Sequence, residues 1–386
     1  MSRGTRCTVE DRETKTPGGA GTIRVGLFTD ASYTGGAERY LHLLAGGLGS
    51  HGFVPVLITG GGVAALQESA RRNGHEVVEI PFGGARNPKG LLSLARALGK
   101  LDISIFHINL AGPFDAGYGI AAPLARLAGI RRVVTTEHLP MVPTFAKARL
   151  IRNFTNRFVD LTITVSRDNV GHLVRNHGVK AERIRVVYNG IPDTGGAPAV
   201  DMRDELSLAG DAYLLAVAGA LEKRKGHLML FDAMRSLPDR IHLFVAGEGR
   251  DEAEYRRMVS EYNLERRVHF LGHRGDIPGI LRGIDQIIVP STLEATPYVI
   301  LEAMAAGVPV VASDIYGIPE LVSADESGLL VRPGDESALR ESIVRIMEHP
   351  ELARRMGRAG RERYERHFTI ERSVRETVDI YRELLR

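Results

Sequence analysis

Ser291-Thr-Leu-Glu294-Ala-Thr-Pro297-Tyr-Val-Ile-Leu-Glu302-Ala-Met-Ala-Ala-Gly307-Val-Pro-Val310 decides the reading of this 386-residue chain. Two carboxylates, Glu294 and Glu302, flank an expected helix start. Thr296 suits the N-cap, and Pro297 the first helical position, where a missing N–H costs nothing. Glu302 then lies over a turn into the helix, and Glu294 in the loop before it. Apolar runs stand on either side, Ile287–Pro290 before and Pro309–Ala312 after. They read as buried parallel strands, and open α/β sheets bind ligands where such a strand ends and a helix begins. Free amides at the helix start favour an anion, typically phosphate. Carboxylates repel a phosphate but accept hydrogen bonds well, so this pair suits sugar hydroxyls.

The same alternation extends in both directions. Strands are expected at Ile23–Phe28, Val54–Thr59, Glu76–Ile80, Ile103–His107, Arg132–Thr135, Leu161–Val165 and Ile184–Val187. Helical patterns lie between them, at Ala37–Leu48, Val63–Asn73, Leu91–Leu98, Ala116–Leu127 and Arg167–Asn176. Strand and helix in turn argue a doubly wound parallel sheet. Asp193–Val200 is small and rich in Gly and Pro, as a linker is. The alternation then restarts at Tyr213–Ala218, Ile241–Ala246, Val268–Leu271, Gln286–Val289, Val308–Ser313 and Gly328–Val331. The expectation is a polar, disordered tail (1–21), a first α/β domain (22–192), a linker (193–204) and a second α/β domain (205–368). An amphipathic last helix, 369–386, ends the chain. A cleft between two such domains is a common ligand site.

Composition narrows the function. Hydrophobic residues make up 44% and charged residues 25%, an ordinary globular balance for two domains. A net charge of +3 is too small for a dedicated nucleic-acid binder. The single cysteine, Cys7, permits no internal disulfide and fits a reducing cytoplasm. No apolar run approaches the roughly 20 residues that span a bilayer, and the leader has no apolar signal core. No Asp-X-Asp and no His/Glu cluster with ligand spacing occurs, so no metal ion or other cofactor is expected.

Other motifs are individually weaker. Gly219-Ala-Leu-Glu-Lys223-Arg224-Lys225-Gly226-His227 follows a strand and suits a diphosphate, though a solvated basic turn has the same composition. It is not a Walker A loop. Gly247-Glu-Gly249 lacks a third glycine and reads as a tight turn. Thr34-Gly35-Gly36-Ala37-Glu38 closes the first strand's loop; its glycines allow close backbone approach, or form an ordinary turn. His138 follows the strand Val133–Glu137, and His107 ends another; either could face the cleft or sit satisfied in the interior. Asn189-Gly190 reads first as a turn. Phe145–Arg157 interleaves basic and apolar residues, which fits a solvated helix face or contact with an anionic membrane.

Together these features resemble the retaining glycosyltransferases of family four. The resemblance runs from about Ile23 to Arg386 and is strongest from Ala216 to Gly334. Glu294 and Glu302, then Ala303-Met-Ala-Ala-Gly307-Val-Pro309, then Gly317-Ile-Pro319-Glu320, carry it. It implies the GT-B fold, two Rossmann-like parallel-sheet domains around a cleft. It implies a UDP- or GDP-linked sugar as donor and metal-independent transfer to an acceptor hydroxyl on a lipid, a glycan or a secondary metabolite. Glu302 would hold the ribose hydroxyls and Glu294 the donor sugar. Lys225 would bind the diphosphate, with the backbone at Gly35 and Gly36 approaching from the other domain. Amides near Thr296–Val299, a stretch that includes Pro297 and Tyr298, would complete the contacts, and His138 would lie near the reacting sugar. Asn189-Gly190 resembles the family's motif at the end of the first domain, and the last helix would cross back onto that domain. Two positions depart from the family: Ala220 where it often has arginine, and Ala295 where it often has glycine. Arg224 stands nearby as a substitute cation. A sugar-nucleotide epimerase or hydrolase of the same fold, or a nucleotide-sugar-binding subunit without activity, are the alternatives. Peripheral contact with the inner face of the membrane would suit a lipid acceptor.

Overall fold

The apolar runs all become parallel strands. The computed structural model describes residues 23–80, 82–83, 87–110, 116–140 and 146–386, and for 116–118 and 146–148 the backbone alone. The expected tail, 1–21, and Cys7 lie outside these residues. The first sheet contains β1 (Ile23–Thr29), β2 (Phe53–Thr59), β3 (Glu76–Glu79), β4 (Ile105–Leu110), β5 (Arg132–Glu137), β6 (Leu161–Thr164) and β7 (Ile184–Val186). The second contains β8 (Tyr213–Ala218), β9 (Ile241–Ala246), β10 (Val268–Gly272), β11 (Gln286–Val289), β12 (Val310–Ser313) and β13 (Gly328–Val331). Their orders are β3-β2-β1-β4-β5-β6-β7 and β10-β9-β8-β11-β12-β13. In each sheet the order reverses beside the first strand, which opens a crevice at the carboxyl ends.

Both faces of each sheet are covered, which is why the strands lack polar alternation. In β8, Leu214 and Ala216 enter one core while Leu215 and Val217 enter the other. In the first sheet Val25 and Leu27 face one core, Phe28 and Val56 the opposite one. Each Leu, Val or Phe side chain so buried contributes roughly 1.5–3 kcal/mol. Among the described residues no helix is long and apolar enough to cross a membrane.

Some boundaries differ from expectation for physical reasons. β4 does not stop at His107 but runs to Leu110, because His107 and Asn109 are buried with polar partners. β5 likewise runs on to Glu137, which pairs with buried Arg152. β12 starts at Val310, since Pro309 has no N–H to give; its carbonyl accepts from Ile287 N at 3.1 Å.

The chain returns to the first domain at its end. Ile191 bonds Phe368 O and Ile370 N, and Thr369 caps the helix Ile370–Leu385 by accepting from Arg372 N. Val374, Val378 and Tyr381 of this helix join the core formed by Leu41, Leu44 and Leu48 of the helix Gly36–Leu48. Gly47 makes the approach feasible: a Cβ there would lie 2.6 Å from Val374.

Candidate functional site

The decisive stretch leaves β11, passes through Glu294 and enters the helix Tyr298–Ala306. The helix begins one residue later than expected. Pro297, at φ −64° and ψ 123°, is the N-cap rather than the first helical residue. Thr296 does not cap it; its Oγ1 donates to Val165 O of the first domain at 2.9 Å. Proline has no side-chain cap to offer; Ile300 N bonds Pro297 O at 3.1 Å, which leaves the amides of Tyr298 and Val299 for a ligand. Val299 turns its side chain into the second core, leaving only its backbone on the site.

Glu294, 7% exposed, gathers two cations. Arg224 Nη1 lies 3.0 Å from its Oε1, and Lys225 Nζ bonds the same oxygen. Arg224 also binds Glu222 Oε2 through Nε at 2.8 Å. The loop that carries them is set by glycines. Gly226 ends it in the left-handed region, and a Cβ there would meet Pro290 O at 1.9 Å. Gly247 acts from the neighbouring strand end: at φ +143° its missing Cβ would fall 2.0 Å from Gly219 O. The Gly247-Glu-Gly249 turn therefore shapes the cationic loop from beneath.

Glu302, 6% exposed, sits one turn into the same helix and faces the other domain. Arg39 Nη1, from the helix Gly36–Leu48, lies 2.7 Å from Glu302 Oε1. The Arg39 guanidinium also stacks 4.7 Å from the centre of the Tyr298 ring. Gly36 presents its bare backbone to that ring, at 3.6 Å from the place a Cβ would take. Burial raises the Glu302 carboxyl above its ordinary pKa, and Arg39 partly offsets this. Gly35 donates its N–H to Glu38 Oε2 at 3.0 Å, which holds the glycine loop against Thr29.

His138, 8% exposed, stands at the carboxyl end of β5. Its Nε2 lies 2.7 Å from Asn109 Oδ1, and Asn109 Nδ2 donates to Ala37 O at 3.0 Å. Because the Asn109 amide already donates to Ala37, its oxygen accepts, and His138 carries its proton on Nε2. Tyr40 packs edge-on against the ring at 5.0 Å. Burial lowers the His138 pKa to about 3, so the imidazole is neutral. His107 has the same shift to about 3, from burial and then from His138. It lies within β4, bonded to Tyr381 and to Thr136, and is a satisfied interior histidine rather than a cleft residue.

The structure thus brings Glu294, Arg224 and Lys225 together, and Glu302, Tyr298 and Gly36 together; His138 attaches to the glycine loop through Asn109. Sequence reading missed Arg39, Asn109 and the cross-domain role of Glu320. Glu320 Oε1 accepts from Asp168 N at 2.8 Å, and Oε2 from Arg167 N at 2.8 Å and Tyr188 OH at 2.7 Å. It caps a first-domain helix, Asp168–His177, whose own N-cap residue supplies no side-chain bond. Gly317 allows the contact, since a Cβ there would meet Ala295 O at 2.2 Å and Ser166 Cβ at 2.8 Å. The basic segment near Arg157 is also corrected in one respect: Arg152 points inward to Glu137, and only Arg149 and Arg157 of its described arginines are exposed. Among the described residues no group of three or more His, Cys, Asp or Glu could hold a metal ion.

Comparison with known proteins places this geometry. Residues 34–194 match the family described as Glycosyltransferase Family 4, and residues 200–363 match Glycosyl transferases group 1. The chain belongs to the family 4 glycosyltransferases. It is similar to UDP-Gal:alpha-D-GlcNAc-diphosphoundecaprenol alpha-1,3-galactosyltransferase of Escherichia coli, 27% identical over 78% of this chain and 80% of that protein. It is also similar to N-acetyl-alpha-D-glucosaminyl L-malate synthase of Bacillus anthracis, 25% identical over 81% of this chain and 84% of that one. Its fold resembles the Anabaena Alr3699/HepE structure with UDP, at TM-score 0.80, 22% identity, and coverage of 94% of this chain and all (100%) of that one. These two Rossmann-like domains form the GT-B fold, and this family 4 member is a glycosyltransferase.

Proposed function

We propose that the chain moves a hexosyl unit from a UDP-linked sugar, or the GDP counterpart, to an acceptor hydroxyl, with retention and without a metal ion. The observation that carries this reading is the convergence of Arg224 and Lys225 on Glu294 beside the open amide end of the helix Tyr298–Ala306. One carboxylate holds two cations there. A diphosphate brings about two negative charges and takes those cations over, each contact contributing about 1.5–3 kcal/mol. Arg224 supplies the cation that Ala220 lacks. Glu294, released from its ion pairs, accepts hydroxyls of the donor sugar, and Glu302 accepts those of the ribose. Gly35 and Gly36 bring backbone close to the diphosphate, the amides along Thr296–Val299 close the pocket, and His138 stands by the reacting sugar.

The bond from the anomeric carbon to the diphosphate oxygen breaks, and a bond to the acceptor oxygen forms on the same face. The acceptor's proton passes to the departing diphosphate oxygen, whose charge Lys225, Arg224 and the helix amides stabilise. UDP as carrier is favoured by the UDP-Gal named for the Escherichia coli relative and the UDP in the Anabaena structure. Leu150, 70% exposed, and Phe154, 52% exposed, stand one turn apart with exposed Arg149 and Arg157. They favour peripheral contact with the inner face of the cytoplasmic membrane, and with it a lipid or lipid-linked acceptor over a free glycan or secondary metabolite.

The test is a panel of sugar nucleotides scored for nucleoside diphosphate release, with and without acceptors and with EDTA. Acceptor-dependent release that survives EDTA, with the product linkage matching the donor anomer, is expected. Epimerised or free sugar as the product would favour an epimerase or hydrolase. Binding without release across the panel would favour an inactive subunit. Lys225→Ala should slow turnover at saturating donor by about 10- to 150-fold, and unchanged turnover would sink the phosphate role.

A further inference from the structure

We infer that Arg39 is a positioning residue of the donor site, reaching from the first domain to hold Glu302 for the ribose. The inference rests on the proposed pairing of Glu302 with the ribose hydroxyls. Glu302 belongs to the second domain, yet its ion-pair partner comes from the first, 2.7 Å away. The guanidinium is not a loose surface group. Its central carbon lies over the Tyr298 ring, 4.7 Å from the centre, and Tyr298 is the first residue of the helix that carries Glu302. Arg39 therefore touches that helix at two places, one turn apart, and its fork is fixed in direction. Three residues before it, Gly36 rests on the same ring without a side chain. The glycine loop and Arg39 dock as one unit against the start of the Tyr298 helix.

A carboxylate offers about four lone-pair positions on its two oxygens. Arg39 occupies one, at Oε1, so a ribose diol can be accepted without displacing it. What Arg39 supplies is a fixed rotamer and an ionised acid at a site whose burial opposes charge. Because the two partners belong to different domains, the ribose pocket is complete only when the cleft is closed. Recognition of the ribose hydroxyls and domain closure then favour each other. Nothing local in the sequence shows this, as Arg39 and Glu302 are separated by most of the chain.

The experiment is a cycle of binding constants on the full chain by calorimetry, with UDP and 2′-deoxy-UDP as probes, or the guanosine pair if only GDP binds. The native protein is expected to prefer the ribonucleotide by about 10-fold. Glu302→Gln should remove most of that preference. Arg39→Met should reduce it to about 3-fold or less, and Arg39→Lys, which keeps the charge but loses the stacked fork, should fall between. Equal weakening of both probes by Arg39→Met, with the preference intact, overturns the inference while leaving the ribose role of Glu302 standing. A preference that Glu302→Gln leaves unchanged removes that role, and the inference with it. If Arg39→Met does not fold, Arg39→Lys decides: an unchanged preference overturns the inference.

Discussion

Replacing Glu320 by alanine should release the first domain from the second. The carboxylate accepts two backbone N–H groups across the interface, from Arg167 and Asp168, each at 2.8 Å. It is the N-cap that the helix Asp168–His177 lacks. Charge-assisted hydrogen bonds contribute about 1.5–3 kcal/mol each and a lost N-cap costs about 0.5–2 kcal/mol. The contact is partly solvated and water replaces much of what is lost, so the N-cap figure applies at its upper end, about 2 kcal/mol. That is roughly a 30-fold shift from closed toward open forms. Hydrogen exchange at the Arg167 and Asp168 amides reads it directly, and about 30-fold faster exchange is expected. Small-angle scattering of the ligand-free protein should show a larger radius of gyration, and the donor KM should rise while turnover at saturation changes little. Unaltered amide protection together with an unchanged scattering curve would falsify the latch.

Two further outcomes concern stability. Gly247→Ala forces a Cβ to within 2.0 Å of Gly219 O at φ +143°, so a loss of about 2–3 kcal/mol is expected in urea denaturation; an unchanged midpoint would mean the turn relaxes freely. Acid should destabilise the first domain through His107 and His138, whose folded pKa values of about 3 lie below the ordinary 6.5. Between pH 6.5 and 3 the unfolded chain binds more protons at these sites, so stability falls as pH drops through that window. At pH 5 each histidine accounts for about 2 kcal/mol. His107→Gln should flatten the pH dependence of the unfolding free energy between pH 7 and 5, and an unaltered slope would count against a neutral interior His107.

The fold was legible because parallel strands covered on both faces write themselves as unbroken apolar runs. Tyr213–Ala218 and Gln286–Val289 have the limits their composition suggests. Polar residues inside strands were harder. His107, Asn109 and Glu137 look like strand ends, yet each has a buried partner from another element. The site was legible where its chemistry is local, as in the cationic loop and the two glutamates. It was hidden where it depends on the domains meeting. Thr296 has the composition of an N-cap, but Val165 O competes for its hydroxyl from the other domain. Glu320 stood out only as part of the Gly317-Ile-Pro319-Glu320 motif and Arg39 not at all, and only the docked domains show what they hold.

The returning helix has a consequence for how the chain is made. Val378 and Tyr381, both fully buried, finish the core of a domain whose first strand begins at Ile23. While the chain is still being synthesised, that core has an open seam along the helix Gly36–Leu48. The second domain draws on a nearly continuous stretch, from Ile191 to Phe368, and can close as soon as that stretch emerges. The part translated first is therefore sealed last, and the seam exposes Leu41, Leu44 and Leu48 to chaperones or to neighbouring nascent chains until the terminal helix is free.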